Sequence, residues 1–264
     1  MNQSENKIVW ITGASSGIGE ALALHWANRG ASIILSSRKR EALEEVRLKL
    51  NNPDQHMVLE LDLEDSSNYT SLTQQVIDRY GKIDILVNNG GLSQRAEVHE
   101  TPIEVDRRIM EINYFGNIIL AKAVLPHFRE RKSGHFLVIS SISGKFGFFL
   151  RSAYSASKHA LHGFYESLAL EEEKNNVHVT LACPGKINTQ ISMNALNSEG
   201  KKHNVMDHNQ ATGMTADECA RQLVQAVDAE KREVLVGGRE IKAVKLKRLF
   251  PKLFWKVIRK QRAT

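Results

Sequence analysis

Long apolar runs are missing from this 264-residue chain: no stretch approaches the roughly 20 residues that a membrane span needs. That excludes a bilayer-crossing helix. Cysteine is scarce as well. Cys183 and Cys219 stand far apart with no metal-ligand spacing, which argues against a disulfide or zinc framework and for two reduced thiols. The polar start of the chain, Met1-Asn2-Gln3-Ser4-Glu5-Asn6-Lys7, lacks the basic-then-apolar build of a leader, so a cytoplasmic protein is expected. Acid is missing from the end of the chain, where nine Lys or Arg follow Glu240 with no Asp or Glu among them. Taking those nine charges from the net +6 leaves −3 for residues 1–240. The basicity therefore belongs to the tail, and nucleic-acid binding by the body is not expected.

What is present, 42% hydrophobic and 25% charged residues, suits one large soluble α/β domain. An apolar strand over residues 7–12 runs into Gly13-Ala14-Ser15-Ser16-Gly17-Ile18-Gly19, and a helix follows on Ile18, Ala21, Leu22, His25 and Trp26, stopped by Gly30. Glycines at a strand-to-helix turn let backbone N–H groups approach a pyrophosphate, and the helix N-terminus favours its charge. Gly13, Ser15, Ser16, Gly17, Ile18 and Gly19 are the candidate cradle, although a tight connection alone would use similar residues. The second strand (32–36) leads to Ser37-Arg38-Lys39-Arg40, with no acid for a ribose 2′-hydroxyl. Arg38 and Lys39 suit a 2′-phosphate, so NADP(H) is expected over NAD(H). As mere helix starters these cations would oppose the helix dipole. Asp62 and Leu63 directly follow a third strand (56–61), either as candidates to contact an adenine or as an ordinary strand end with an acid. A helix on Leu72, Val76 and Tyr80, ended by Gly81, precedes a fourth strand (83–87) that opens into Asn88-Asn89-Gly90-Gly91.

Tyr154 and Lys158 are four residues apart and share one helix face. A neighbouring ammonium stabilises a phenolate and makes tyrosine a usable proton donor, although a solvated helix face could carry the same pair. Before them comes a long helical region (104–131) with Ile109, Ile112, Phe115, Ile119 and Asn113, then a strand (136–139) and the serine loop Ser140-Ser141-Ile142-Ser143-Gly144. Phe146, Phe148 and Phe149 either flank a reacting carbonyl or pack the core. The helix over 153–174 buries Ala153, Ala160, Leu161, Phe164 and Leu168; its His159 and His162 fit no metal motif, and no metal is expected. Val177, Val179 and Leu181 alternate in a sixth strand, and residues 190–213 have the polar, irregular composition of a mobile substrate lid. Thr215 with Glu218 forms a capping box for a helix through Cys219, Leu223 and Val227, followed by a seventh strand over 233–236. In the tail, Leu246, Leu249, Phe250, Leu253, Phe254 and Val257 keep helical spacing among basic residues, with Pro251 breaking or restarting the helix. Such a segment either lies on an anionic membrane surface or packs on protein.

Seven motifs stand in order: Thr12-Gly13-x-x-x-Gly17-x-Gly19, Asp62-Leu63, Asn88-Asn89-Gly90, Asn113, Ser141, Tyr154-x-x-x-Lys158 and Pro184-Gly185-x-Ile187-x-Thr189. With them the chain resembles the short-chain dehydrogenase/reductase family along nearly its whole length. Asn88-Asn89-Gly90-Gly91 departs from the family's commoner Asn-Asn-Ala-Gly. The stretches 88–95 and 155–164 look like the dehydrogenase/reductase SDR family member 7-like branch. The resemblance implies a single-domain, Rossmann-like, doubly wound parallel sheet in the order 3-2-1-4-5-6-7. Residues 1–240 would form the NADP-binding catalytic domain, with the lid at about 190–213, and 241–264 the basic amphipathic tail. It implies catalytic roles for Ser141, Tyr154 and Lys158, with Asn113 holding a water that leads protons to Lys158. Asn89, Gly90, Pro184, Gly185, Ile187 and Thr189 join the cofactor site, as do Tyr154 and Lys158. It further implies carbonyl–alcohol interconversion on lipophilic molecules such as steroids, retinoids or quinones, and a homodimer or homotetramer built on the 104 and 153 helices. A 3-oxoacyl thioester reductase is the enzymatic alternative; a non-catalytic NADP sensor or scaffold is the alternative of another class.

Overall fold

Strand β1 (Ile8–Thr12) is buried at every residue, as a parallel strand covered by helices on both faces must be. The computed structural model describes residues 6–261 and Ala263. Met1–Glu5, the start on which the cytoplasmic expectation rests, and Arg262 and Thr264 of the tail lie outside the described residues. β1 sits mid-sheet between β2 (Ser32–Ser36) and β4 (Ile85–Asn88), and β3 (Met57–Val58), β5 (Gly134–Ile139), β6 (Val177–Pro184) and β7 (Glu233–Val236) complete a seven-stranded sheet in the order 3-2-1-4-5-6-7. Every pairing is parallel. The order reverses between β1 and β4, which opens a crevice beyond their carboxyl ends.

Strand alternation divides the core between two faces. Val9, Ile11, Ile33, Leu35 and Val87 meet α1 (Gly17–Ala27), α2 (Arg40–Lys49) and α8 (Ala216–Asp228). Ile8, Trp10, Ile34, Leu86 and Phe136 meet α3 (Tyr69–Tyr80), α5 (Gly116–Arg131) and α6 (Ser152–Glu171). Thr215 caps α8 by accepting from the Glu218 N–H at 3.2 Å, while the Glu218 carboxylate turns to Arg221 and Gln222, so only half of the expected box forms.

One local expectation needs correction, and two regions carry detail that the sequence did not predict. The third strand pairs over two residues rather than six, because Leu59 and Leu61 donate to Leu35 and Ser37 without a continuous ladder. The long helix after residue 103 is α4 (Ile103–Met110), a π-turn at Glu111–Phe115, and then α5. Residues 190–213 are irregular but tied down: Leu196 donates to Ser93 O and accepts from Arg95 N at 2.9 and 2.8 Å, and one short helix, α7 (His208–Ala211), lies within them. Beyond β7, α9 (Lys242–Leu249) and α10 (Pro251–Ile258) restart at Pro251, as the tail's spacing predicted.

Gly116 marks a crowded crossing, since a Cβ there would lie 2.1 Å from the carbonyl oxygen of Leu63. Gly163, exposed on α6, has open space around it. Gly116→Ala should therefore destabilise the chain by about 1–3 kcal/mol, and Gly163→Ala should stabilise it by about 0.5–1 kcal/mol. Denaturant midpoints moving in opposite directions would verify this pair.

Candidate active site

The carboxyl ends of the strands border one continuous cleft of about 1210 Å³. Its first end is the turn after β1. Gly13 has φ +63° and a Cβ on it would sit 2.8 Å from Gly90 Cα, so only glycine fits both the conformation and the approach. Gly19 does not face the cleft; it lies under the turn, where a Cβ would meet Gly13 O at 2.3 Å. Asn89 braces the same turn, its side-chain amide donating to Thr12 O at 3.0 Å and Gly13 O at 3.1 Å. No side chain caps the N-terminus of α1, and Ser15, Ser16, Gly17 and Ile18 line the cleft there. Such an arrangement can cradle a diphosphate. Across it, Thr189 Cγ2 would lie 3.1 Å from a Cβ on Gly17, which places the loop after β6 over the turn.

Arg38 and Lys39 border this end, both exposed. Among the described residues neither forms an ion pair, whereas Arg40 pairs with Glu44 and Glu60. Asp62 and Leu63 also line the cleft, with the Asp62 carboxylate accepting from Glu64 N at 3.0 Å. Pro184, Gly185, Ile187 and Thr189 form the opposite wall. Gly185 is needed there because Glu240 occupies the space a Cβ would take, its carboxylate accepting from the Lys186 and Gly238 N–H groups at 2.9 and 3.0 Å.

The N-terminal half of α6 supplies the floor. Tyr154 is only 7% exposed and Lys158 is buried beside it, its Nζ 5.8 Å from the phenol ring centroid and donating to Ile139 O at 2.7 Å. Burial raises the Tyr154 pKa, and the Ser141 hydroxyl, Arg95 and Arg151 act against that rise. Burial pulls the Lys158 ammonium down to about 8. Ser141 caps the short turn after β5, its oxygen accepting from Ser143 N at 3.1 Å. Asn113 lies behind this group rather than in the cleft, held by the π-turn, with Oδ1 accepting from Leu92 N and Nδ2 donating to Leu92 O and Ser157 Oγ. A Cβ on Gly91 would approach both Asn113 Oδ1 and Lys158 Nζ, at 2.9 and 3.7 Å, so glycine permits their convergence.

The other end of the cleft is apolar. Phe146 and Phe148 line it, and Phe146 is also part of a small core with Phe254 and Ile258. Phe149 points outward. The tail helices border this end through Leu246 and the buried Ile258. Composition and spacing disclosed neither that placement nor the buried Arg95, Arg151 and Asp207 on the same wall. Away from the cleft, His162, Cys183 and Glu233 offer ligand atoms within 4.8 Å of one another. The Lys145 ammonium already contacts both His162 and Glu233 there.

The short chain dehydrogenase family profile matches residues 7–200. The chain belongs to the short-chain dehydrogenase/reductase family, whose members are oxidoreductases that bind a nicotinamide dinucleotide and act on small carbonyl and alcohol substrates. Within it the chain falls in the member 7-like branch. It is 40% identical to the dehydrogenase/reductase SDR family protein 7-like of Drosophila melanogaster, over 98% of this chain and 82% of that one. It is 39% identical to SDR family member 7B of Mus musculus, over 96% and 80%. Among solved structures, a short-chain dehydrogenase from Streptomyces avermitilis superposes with TM-score 0.82 at 30% identity, covering 97% of this chain and 98% of that one. One from Burkholderia phymatum, in complex with NAD, reaches 0.85 at 20% identity over 100% and 98%, a likeness of fold alone.

The depressed Lys158 pKa gives a signed expectation. Between about 8 and the ordinary lysine value of 10.5, the folded chain has released a proton that the unfolded chain keeps. This group therefore makes stability rise with pH across that window. Lys158→Met should remove that component, so the wild-type-minus-variant difference in denaturation midpoint should rise with pH across this window; a difference that does not change with pH would contradict it.

Proposed function

We propose that this chain is an NADP(H)-dependent oxidoreductase that interconverts a carbonyl and an alcohol on an apolar, bulky substrate, with Tyr154 as acid and base. The observation that carries this reading is the setting of the Tyr154 hydroxyl: buried beside Ser141, on a cleft that the glycine turn and the apolar residues Phe146, Phe148 and Leu246 also line. The nicotinamide, when bound, supplies or accepts the hydride. Ser141 donates a hydrogen bond to the carbonyl oxygen, and Tyr154 delivers the proton as negative charge develops there. Lys158 holds the nicotinamide ribose and adds positive charge near the phenol, and Asn113 fixes the segment behind it. Gly13, Ser15, Ser16, Gly17, Ile18 and Gly19 shape the diphosphate site, and Asn89 and Gly90 brace it. Asp62 and Leu63 meet the adenine; Pro184, Gly185, Ile187 and Thr189 hold the carboxamide. Preference for NADP(H) over NAD(H) rests on the two exposed cations at the ribose end and on the lack of an acid beside them.

Residues 1–240 act as the catalytic body, with residues near 190–213 as its lid. The tail covers the apolar mouth and turns Phe250 (60% exposed), Trp255 (49%) and Leu253 outward among lysines and arginines. No helix among the described residues is long and apolar enough to cross a membrane. The tail instead suits contact with an anionic lipid surface, bringing the cleft to lipophilic substrate. Assembly as a homodimer or homotetramer through α4, α5 and α6 belongs to the same reading and is supported by the outward Phe115 and Ile103.

Tyr154→Phe should lower carbonyl reduction by about 10²–10⁴-fold while leaving NADPH binding intact. A wild-type protein that binds NADPH tightly yet reduces nothing in a broad panel of apolar ketones, aldehydes and 3-oxoacyl thioesters would mark it as a sensor. Arg38→Ala with Lys39→Ala should weaken NADPH about tenfold or more and leave NADH affinity nearly unchanged; equal losses for both would refute the 2′-phosphate assignment. Phe250→Ser with Trp255→Ser should reduce co-sedimentation with anionic phospholipid vesicles, and unchanged binding would remove the membrane role.

A further inference from the structure

Three charged residues that the catalytic reading does not use meet inside the protein. Arg95 follows β4, Arg151 immediately precedes α6, and Asp207 belongs to the 190–213 segment. Their side chains are 1%, 10% and 0% exposed. Asp207 Oδ2 accepts from Arg95 Nη2 at 2.5 Å, Arg95 Nε at 3.0 Å and Arg151 Nη2 at 2.8 Å. Further guanidinium donors are committed nearby: Arg95 Nη1 to Ser93 Oγ and Gln94 O, Arg151 Nη1 to Phe149 O and Ala263 O. All three residues line the cleft with Tyr154.

We propose that Arg95, Asp207 and Arg151 form a buried clamp that holds the lid segment against the start of the tyrosine helix and, through its net charge of +1, sets the electrostatic potential at the Tyr154 hydroxyl. This goes beyond the acid–base reading and rests on it only for its catalytic consequence. Two guanidiniums share one carboxylate, so one positive charge stays uncompensated, and burial leaves it poorly screened. Guanidinium cannot shed that charge as a buried lysine can. Burial lowers Arg151 to about 10, which still leaves it charged at neutral pH. The titratable and charged groups facing the phenol are Lys158 on its own helix, Arg151 ahead of that helix, Arg95 from the β4 loop and, through the arginines, Asp207 from the lid; Ser141 adds an uncharged hydroxyl. The arginines oppose the effect of burial on Tyr154, whereas Lys158 is drawn toward Ile139 O. These three are positioning residues, because they act through Tyr154.

Ionisation of Tyr154 can be read without substrate, as the tyrosinate absorbance present in the wild-type protein and missing from Tyr154→Phe. Asp207→Asn raises the clamp to +2 with little change of shape and should lower the titration midpoint by on the order of one pH unit. Arg151→Gln and Arg95→Gln lower it to zero and should raise the midpoint by a similar amount, while Arg151→Lys should restore it. NADPH binding at the other end of the cleft checks folding; where a glutamine variant fails that check, Asp207→Asn and Arg151→Lys decide. Opposite displacements are the signature, since a purely structural clamp would move all variants the same way or none. An unmoved midpoint, or Asp207→Asn moving with the glutamine variants, overturns the proposal even if Tyr154→Phe abolishes turnover. Retained turnover in Tyr154→Phe would overturn the acid–base reading and leave the titration result standing.

Discussion

The position of α6 depends on one buried chain of hydrogen bonds. Asn88 Nδ2 donates to the Tyr165 hydroxyl at 2.7 Å, and that hydroxyl donates to Asn117 Oδ1 at 2.6 Å. Burial holds the Tyr165 pKa well above its ordinary value, so this phenol stays neutral and acts as a fixed link between β4, α6 and α5. Leu161 and Leu168 pack around it in the sheet-facing core. With its C-terminal half anchored in this way, α6 can present Tyr154 and Lys158 to the cleft without being held by anything bound there. Asn89, next along the chain, braces the glycine turn through Thr12 and Gly13. Both halves of the site thus register on the end of a single strand.

Charge is laid out along the cleft by function. Exposed cations stand at the ribose end, two buried guanidiniums and one carboxylate stand near the phenol, and a basic tail covers the apolar mouth. The first group suits a multiply charged ligand from water, since exposed charge attracts at a distance and is moderated by salt. The second is buried, where charge is poorly screened, and both guanidiniums act against the rise in the Tyr154 pKa. The two phenols on α6 show how environment separates roles. Tyr165 is enclosed by neutral amides, whereas burial of Tyr154 is opposed by a hydroxyl and two cations. Only the second has cations that favour its ionised form.

Much of this architecture was legible in the sequence because it is local. The glycine turn, the strand periods, Thr215 at the start of α8 and Pro251 at the restart of the tail all depend on neighbours within a few residues, and the strand order followed from family resemblance. Contacts set by distant segments were not legible. Arg95 and Asp207 are 112 positions apart, and their pairing is visible only once the 190–213 segment lies on the loop after β4. The π-turn that carries Asn113 has no compositional sign, since Glu111–Phe115 reads as ordinary helix. The two-residue β3 was overestimated because Leu59 and Leu61 are buried and apolar without continuing the ladder. Phe146 illustrates a further limit: one side chain faces both the cleft and the tail, and periodicity offers only one of those choices.

The central claim is that the Tyr154 hydroxyl stands ready to exchange a proton beside a bound nicotinamide. A crystal structure of this chain with NADP⁺ and an apolar ketone tests it most directly. The account predicts the ketone oxygen within hydrogen-bonding reach of both Tyr154 and Ser141, the nicotinamide ring over the same carbon, and the 2′-phosphate against Arg38 and Lys39. A nicotinamide bound with the Tyr154 hydroxyl turned away from it, out of reach of the ketone oxygen, would contradict the account.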